Sequence, residues 1–219
     1  GVLTANCDEM HIAITGHGGH AARPHLAQDP ISAAAHLVNW LYSQIPRAID
    51  SQEAVVVTIG KLQGGHTSNV IPERVDLSGT MRTLDTEIRD ETMQQIHRLA
   101  QAVADGSGTV IEVTYGVGAP SVVNDPEVIQ IAADSVRAVL GEVGIDWIPR
   151  PSMGSEDFAF YAAEVPGAMF RLGCAPEHGR GPGLHTPTFD IDEQALRIGA
   201  KVMARTAVGW LETHCRKGS

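Results

Sequence analysis

Residues 9–118 run in the order β-α-β-β-α-β, which predicts a mixed fold (α+β / α/β) built around an antiparallel sheet. Three observations carry this. The four strand segments alternate apolar and polar side chains, so each has one face to bury. The two helices each carry a single apolar stripe. An antiparallel sheet with both helices on one side buries all six faces together, the ferredoxin-like or split βαβ arrangement.

The elements follow in order. EMHIAIT (9–15) sets Met10, Ile12 and Ile14 on one side and His11, Ala13 and Thr15 on the other. A glycine-rich loop, GHGGHAARPH (16–25), comes next. Asp29 caps a helix with Pro30 at its first position, and Ile31, Ala34, Val38, Leu41 and Ile45 form its stripe. AVVVTIGKL (54–62) is a β-branched strand, and QGGHTSNVIP (63–72) is a loop punctuated by glycine and proline. In ERVDLSGTMR (73–82), Val75, Leu77, Gly79 and Met81 point inward and Arg82 joins the polar face. Asp85 caps a second helix with Ile88, Thr92, Ile96, Leu99 and Val103 inward. GSG (106–108) ends it, and TVIEVTYGV (109–117) is the fourth strand.

The texture then changes. Asn124 or Asp125 with Pro126 starts a helix that uses Ile129, Ala133, Val136 and Leu140. Ser155, followed by Glu156 and Asp157, caps a helix through Glu164. GAMFRLG (167–173), apolar on both faces, reads as the central strand of a covered sheet. A long loop (174–192) leads to a last helix (193–212) with Leu196, Ala200, Met203, Ala207 and Trp210 inward. Three helices with so few strands read as half of an α/β domain. The expected division is 1–118 and 119–219.

The 219 residues carry a net charge of -10, which repels phosphate and argues against nucleic acid. An RNA-binding version of the fold also lacks paired aromatics on its exposed sheet face. No run of about 18 apolar residues is present, so no membrane span is expected. No signal peptide is visible. Cys7, Cys174 and Cys215 are odd in number and far apart, which suits a reducing, cytoplasmic setting.

Five segments carry chemistry-bearing residues in a fixed order: GHGGHAARPH, GGHTSNVIPE, GTMRTLD, GSEDFAFY and LGC…GLHTPTFDID. Together they resemble the M20 metallopeptidase superfamily, in particular amidohydrolases of the hippurate hydrolase, N-acyl-amino-acid hydrolase and auxin-conjugate hydrolase type. The resemblance implies a metal-dependent amidohydrolase that cleaves the amide bond of N-acyl amino acids. Residues 1–118 then match a ferredoxin-like satellite domain that mediates homodimerisation, and 119–219 match the C-terminal part of the catalytic domain. The N-terminal catalytic half, with its Cys-Gly-His-Asp motif and Glu-Glu pair, has no counterpart here, so the chain is expected to be a fragment that is inactive alone.

The resemblance also implies roles. His185 is a metal ligand for one of two divalent ions, zinc, manganese, nickel or cobalt. His20 reaches into the partner protomer's site and donates to the substrate carbonyl oxygen. Asn69 and Arg82, supplied in the same way, bind substrate oxygens, Arg82 as a planar fork for a carboxylate. Gly154 and Ser155, at a helix start, sit beside the substrate. His11, His17 and His25 read as surface residues. A different class of function, a non-catalytic dimerisation module that holds a carboxylate through Arg82 and Asn69, also fits these residues. An Arg82 merely paired with Asp76 or Asp85 is the plainest alternative for that residue.

Overall fold

A computed structural model describes residues 1–176 and 183–215; the stretch 177–182 of the long expected loop lies outside them. The elements are β1 (Val2–Thr4), β2 (Asp8–Thr15), β3 (Gly19–His20), α1 (Pro30–Ala48), β4 (Val55–Gly64), β5 (Val70–Ile71), β6 (Arg74–Thr83), α2 (Thr86–Ser107), β7 (Val110–Tyr115), β8 (Val122–Val123), α3 (Pro126–Leu140), α4 (Phe158–Glu164) and α5 (Gln194–Cys215). They fall into two compact units.

The larger unit holds 2–122 and 151–160. Its sheet runs β4-β6-β2-β7 with every neighbour antiparallel. Met10, Ile12 and Ile14 of β2 and Val75, Leu77 and Met81 of β6 are buried with Leu37 and Leu41 of α1 and Ile96 of α2, so both helices cover the same sheet face. Period-two burial in the strands and period-3.6 burial in the helices are what the alternation and the stripes require. The α1 stripe differs in one place: Ile31 is exposed, and Ala33 and Leu37 are buried instead.

The helix ends follow local chemistry. Asp29 accepts from the Ile31 and Ser32 N–H groups and Asp85 from those of Glu87 and Ile88, each satisfying donors that a first turn leaves open. Gly108 closes α2 with φ 70°, a conformation a side chain would disfavour.

The unit boundary departs from 118/119 because 151–160 returns to β1. Ser152 N–H donates to the Leu3 carbonyl, and Ala5 N–H donates to the carbonyls of Ser152 and Gly154. These bonds give otherwise orphaned backbone groups their partners.

One charge pair is sunk in this unit. The Asp8 side chain is 1% exposed and takes a bidentate grip from Arg89, Nε to Oδ2 at 2.8 Å and Nη2 to Oδ1 at 2.7 Å. The hydrogen bonds to Asp8 raise the Arg89 pKa further above its ordinary value. Gly118 packs against Asp8 so closely that a Cβ there would collide with Oδ1. Removing Arg89 would strand a buried carboxylate, a loss of roughly 3–5 kcal/mol in comparable pairs.

The second unit comprises Gly1, 123–150 and 161–219. Asp125 caps α3, accepting from Glu127 and Val128 N–H. α3 packs along α5, where Gly209 lies against Ile131. Three expectations are corrected in the region after Val123. The stretch 167–173 is extended but forms no strand, because among the described residues no strand lies beside it. Its backbone is held instead by Asn124, whose Nδ2 donates to the Met169 carbonyl and whose Oδ1 accepts from Met169 N–H. The helix expected after Ser155 begins only at Phe158. On α5 the buried residues are Ala195, Gly199 and Val202, one position before the expected stripe, while Leu196 and Met203 are 61% and 64% exposed. Gly199 in this row lies against the Leu172 side chain, where a Cβ would come within 2.8 Å of Leu172 Cδ2.

No helix among the described residues is long and apolar enough to cross a membrane.

Tyr115 supplies a test of the larger unit. Its hydroxyl is buried without a hydrogen-bond partner among the described residues. Burial, with the Asp8 charge adding to it, pushes its pKa from 10.0 up to about 12. The unfolded chain therefore releases this proton first as pH rises. The stability tied to a neutral Tyr115 is complete below pH 10.0 and is lost between there and about 12. Tyr115→Phe should flatten that alkaline loss and hold or slightly raise stability at neutral pH, by up to about 1 kcal/mol, as read by urea denaturation at a series of pH values.

Candidate functional site

The loop after β2 is a folded module. Thr15 ends the β2–β6 ladder opposite Arg74, and the pairing continues past it. Gly16 N–H donates to the Glu73 carbonyl at 2.9 Å, and then Gly19 pairs with Ile71 and His20 with Val70. Residues 16–28 are pinched at the neck by His17 and Gln28, whose N–H and carbonyl groups exchange bonds of 3.0 and 2.9 Å. Gly16 and Gly18 are required by proximity: a Cβ on Gly16 would collide with the Gln28 carbonyl, and one on Gly18 would lie 2.7 Å from the Ile71 oxygen.

This ladder brings two expected site residues together. Ala21 N–H donates to the Asn69 carbonyl at 3.1 Å, so the exposed Asn69, the turn residue before β5, lies opposite the residue that follows the exposed His20. The His20 carbonyl accepts from Arg23 N–H at 2.8 Å, closing a turn. Inside it Ala22 N–H donates to His20 Nδ1 at 3.0 Å. Thr67 Oγ1 donates to Asn69 Oδ1 at 2.8 Å. Ala22 and Thr67 escaped the sequence reading. The visible signal was the T-x-N spacing, a local pattern by which hydroxyl and amide side chains bond two residues on.

Arg82 does not join them. It lies eight residues beyond Arg74 on β6, about 26 Å at about 3.3 Å per residue. The β3–β5 ladder continues from the Arg74 end. One protomer thus presents the imidazole–amide pair and the guanidinium at opposite ends of its sheet, which corrects the expectation that they arrive as one cluster. Arg82 is half-buried and its Nη1 donates to the Met153 carbonyl at 3.0 Å. It is not spent on the nearby acids: Asp76 is held by Arg74 at 2.6 Å and Asp85 caps α2.

Gly154 and Ser155 lie in the segment that Arg82 touches. They do not start a helix, and the Gly154 N–H is already donated to Ser152 Oγ at 3.1 Å. The expected free N–H donors are therefore not offered by a helix end at Gly154. His185 belongs to the second unit and is exposed. Its φ of 63° is the sole positive value for a non-glycine residue among the described residues. Such a conformation costs on the order of 1–3 kcal/mol and tends to persist where a side chain must be held for a purpose. Among the described residues no group of three or more His, Cys, Asp or Glu side chains is placed to hold a metal ion.

Comparison with known proteins bears on these residues together. Residues 6–208 match the family model described as peptidase family M20/M25/M40. N-acetylcysteine deacetylase of Bacillus subtilis (strain 168) is 36% identical over 213 residues, 97% of this chain and 54% of that protein. N-acetyldiaminopimelate deacetylase of Halalkalibacterium halodurans is 35% identical over 214 residues, 97% of this chain and 55% of that protein. Among solved structures, a Bacillus subtilis protein described as a dinuclear metal binding peptidase from the M20 family superposes with a TM-score of 0.77 at 30% identity, covering 97% of this chain and 52% of that one. The chain spans about half the length of the curated relatives it matches.

The neck of the loop can be tested directly. Gly16→Ala forces a methyl group into the Gln28 carbonyl, an overpacking cost of about 1–3 kcal/mol. Amide exchange should show faster opening at His17, Gln28 and Ile71, with the α1 and α2 amides unchanged.

Proposed function

The chain belongs to peptidase family M20/M25/M40, and we propose that it forms part of a metal-dependent amidohydrolase that cleaves the amide bond of N-acyl amino acids. The observation that carries this reading is the β3–β5 ladder, which holds His20 beside Asn69 on an exposed, tightly closed loop. The relatives that are N-acetylcysteine and N-acetyldiaminopimelate deacetylases support small N-acetylated substrates.

Amide hydrolysis needs an activated water, a polarised carbonyl and stabilisation of the oxyanion that forms. Two divalent ions, zinc, manganese, nickel or cobalt, are proposed for the complete enzyme, in keeping with the dinuclear M20 relative. The described residues of this chain do not compose such a site by themselves. His185 is the one ligand assigned to it here, and a zinc ion alone takes about four. The proton-shuttling carboxylate is assigned to the N-terminal half that the resemblance implies, so the 219-residue chain alone is proposed to be inactive.

What this chain contributes is the grip on the substrate. His20 and Asn69 are assigned to the site of the partner protomer in a homodimer formed through a ferredoxin-like satellite domain. There they would donate to the scissile carbonyl oxygen as negative charge develops. A small N-acyl amino acid cannot span about 26 Å of strand, so Arg82 is assigned to the site of its own protomer. Its planar fork suits the substrate carboxylate. Gly154 and Ser155, beside Arg82, are kept as lining residues, with no helix-end role.

The test uses the polypeptide extended to the length of its relatives, loaded with metal and offered N-acetylcysteine, N-acetyldiaminopimelate and hippurate. Acetate or benzoate release, abolished by a chelator and restored by metal, is expected. His20→Ala should lower kcat by about 10²–10³-fold, the usual loss for one oxyanion donor. No turnover across the panel with metal present would overturn the proposal.

A further inference from the structure

The loop that carries His20 and Asn69 also makes one hydrogen bond to each of their side chains. We infer that the Ala22 backbone amide and the Thr67 hydroxyl are positioning groups that hold His20 as an Nε2–H donor and fix the orientation of the Asn69 amide. The inference rests on the proposed role of His20 and Asn69 in substrate binding, but its evidence is the chemistry of two hydrogen bonds.

A backbone N–H can only donate. With Ala22 N–H directed at His20 Nδ1 at 3.0 Å, that nitrogen must present its lone pair. The proton of the neutral ring then sits on Nε2. The arrangement follows from the backbone: Arg23 N–H bonds the His20 carbonyl at 2.8 Å, and the turn so closed aims the amide two residues on back at the side chain of the first. Histidine here takes the place that asparagine or aspartate holds in an Asx turn.

Asn69 is set in the same way. The Thr67 hydroxyl donates to Oδ1 at 2.8 Å, which orients the amide and leaves both Nδ2 donors and one Oδ1 lone pair for a ligand. Ala21 N–H on the Asn69 carbonyl and the pairing of His20 with Val70 hold the backbones of the two residues close together. The pair therefore offers the His20 Nε2–H and the two Asn69 Nδ2 donors. It suits an oxygen acceptor, the carbonyl or carboxylate of an acyl substrate. The His20 ring in this tautomer does not suit a metal ion, which needs a lone pair on the imidazole.

The experiment uses the 219-residue chain without substrate, with ¹⁵N-labelled histidine and the His20 resonances assigned by difference from His20→Gln. Long-range proton–nitrogen correlation reads the tautomer. Less than about one part in ten of the Nδ1–H form is expected. Replacing Ala22 by its α-hydroxy analogue turns the amide into an ester and deletes the donor alone. The Nδ1–H fraction should then rise several-fold, with the Val70 and Ile71 amide shifts unchanged. For Asn69, ¹⁵N relaxation of the side-chain amide should report a rigid group in the parent and in Thr67→Ser, and a mobile one in Thr67→Val. A dominant Nδ1–H form in the parent, no response to the ester, or an Asn69 amide indifferent to Thr67→Val would overturn the inference. Those results would leave the amidohydrolase reading standing, because that reading is decided by turnover.

Discussion

The antiparallel pairing of Asp8–Thr15 with Arg74–Thr83 is the constraint from which the rest follows. Its register puts Met10, Ile12 and Ile14 on the same side as Val75, Leu77 and Met81, so one face becomes the core and α1 and α2 have a surface to cover. A slip of one residue would turn every one of these side chains to the other face. The same ladder runs on beyond the sheet, through Gly16 and Glu73, and becomes the β3–β5 ribbon that holds His20 against Val70. At its other end it places Arg82 against the 151–160 segment through the Met153 carbonyl. Core and candidate site are thus products of one register.

That origin explains the division of labour among the polar residues. Groups near the ladder's ends make short-range bonds that fix their geometry: Asp29 and Asp85 at helix starts, Gln28 at the loop neck, Thr67 beside Asn69. The buried Asp8–Arg89 pair sits at the β2 start and ties α2 to the sheet. Its removal would disturb the frame, and only through the frame the site. His20 and Asn69 stay exposed, as the proposed contact with a substrate requires.

Much of the larger unit was legible in the sequence because its signals are local. An Asp before a helix, a Pro at its first turn and a glycine with positive φ at its end each act within four residues, and the structure has them at Asp29, Pro30 and Gly108. Strand alternation gave the buried faces for the same reason. What failed depended on partners distant in sequence. The 167–173 stretch has strand composition but no neighbouring strand among the described residues, so Asn124 holds its backbone instead. α5 offers two adjacent stripes, and only tertiary packing, such as Leu172 against Gly199, decides for Ala195, Gly199 and Val202. Arg82 was placed on the correct face, but a period of two says nothing about which end of a strand a residue occupies. The match to the peptidase family covers the motifs in order, and motif order carries no information about which protomer each residue serves.

The central claim is that His20 and Arg82 act on one substrate from two different protomers, and subunit mixing tests it most directly. His20→Ala and Arg82→Ala variants of the polypeptide at its relatives' length would each be assayed alone, then mixed, unfolded and refolded together. If His20 serves the partner's site and Arg82 its own, each mixed dimer regains one intact site, and random mixing restores about one quarter of parent activity. If both residues came from the same protomer, every site in the mixture would lack one of them. Activity no higher than the sum of the two variants would contradict the account.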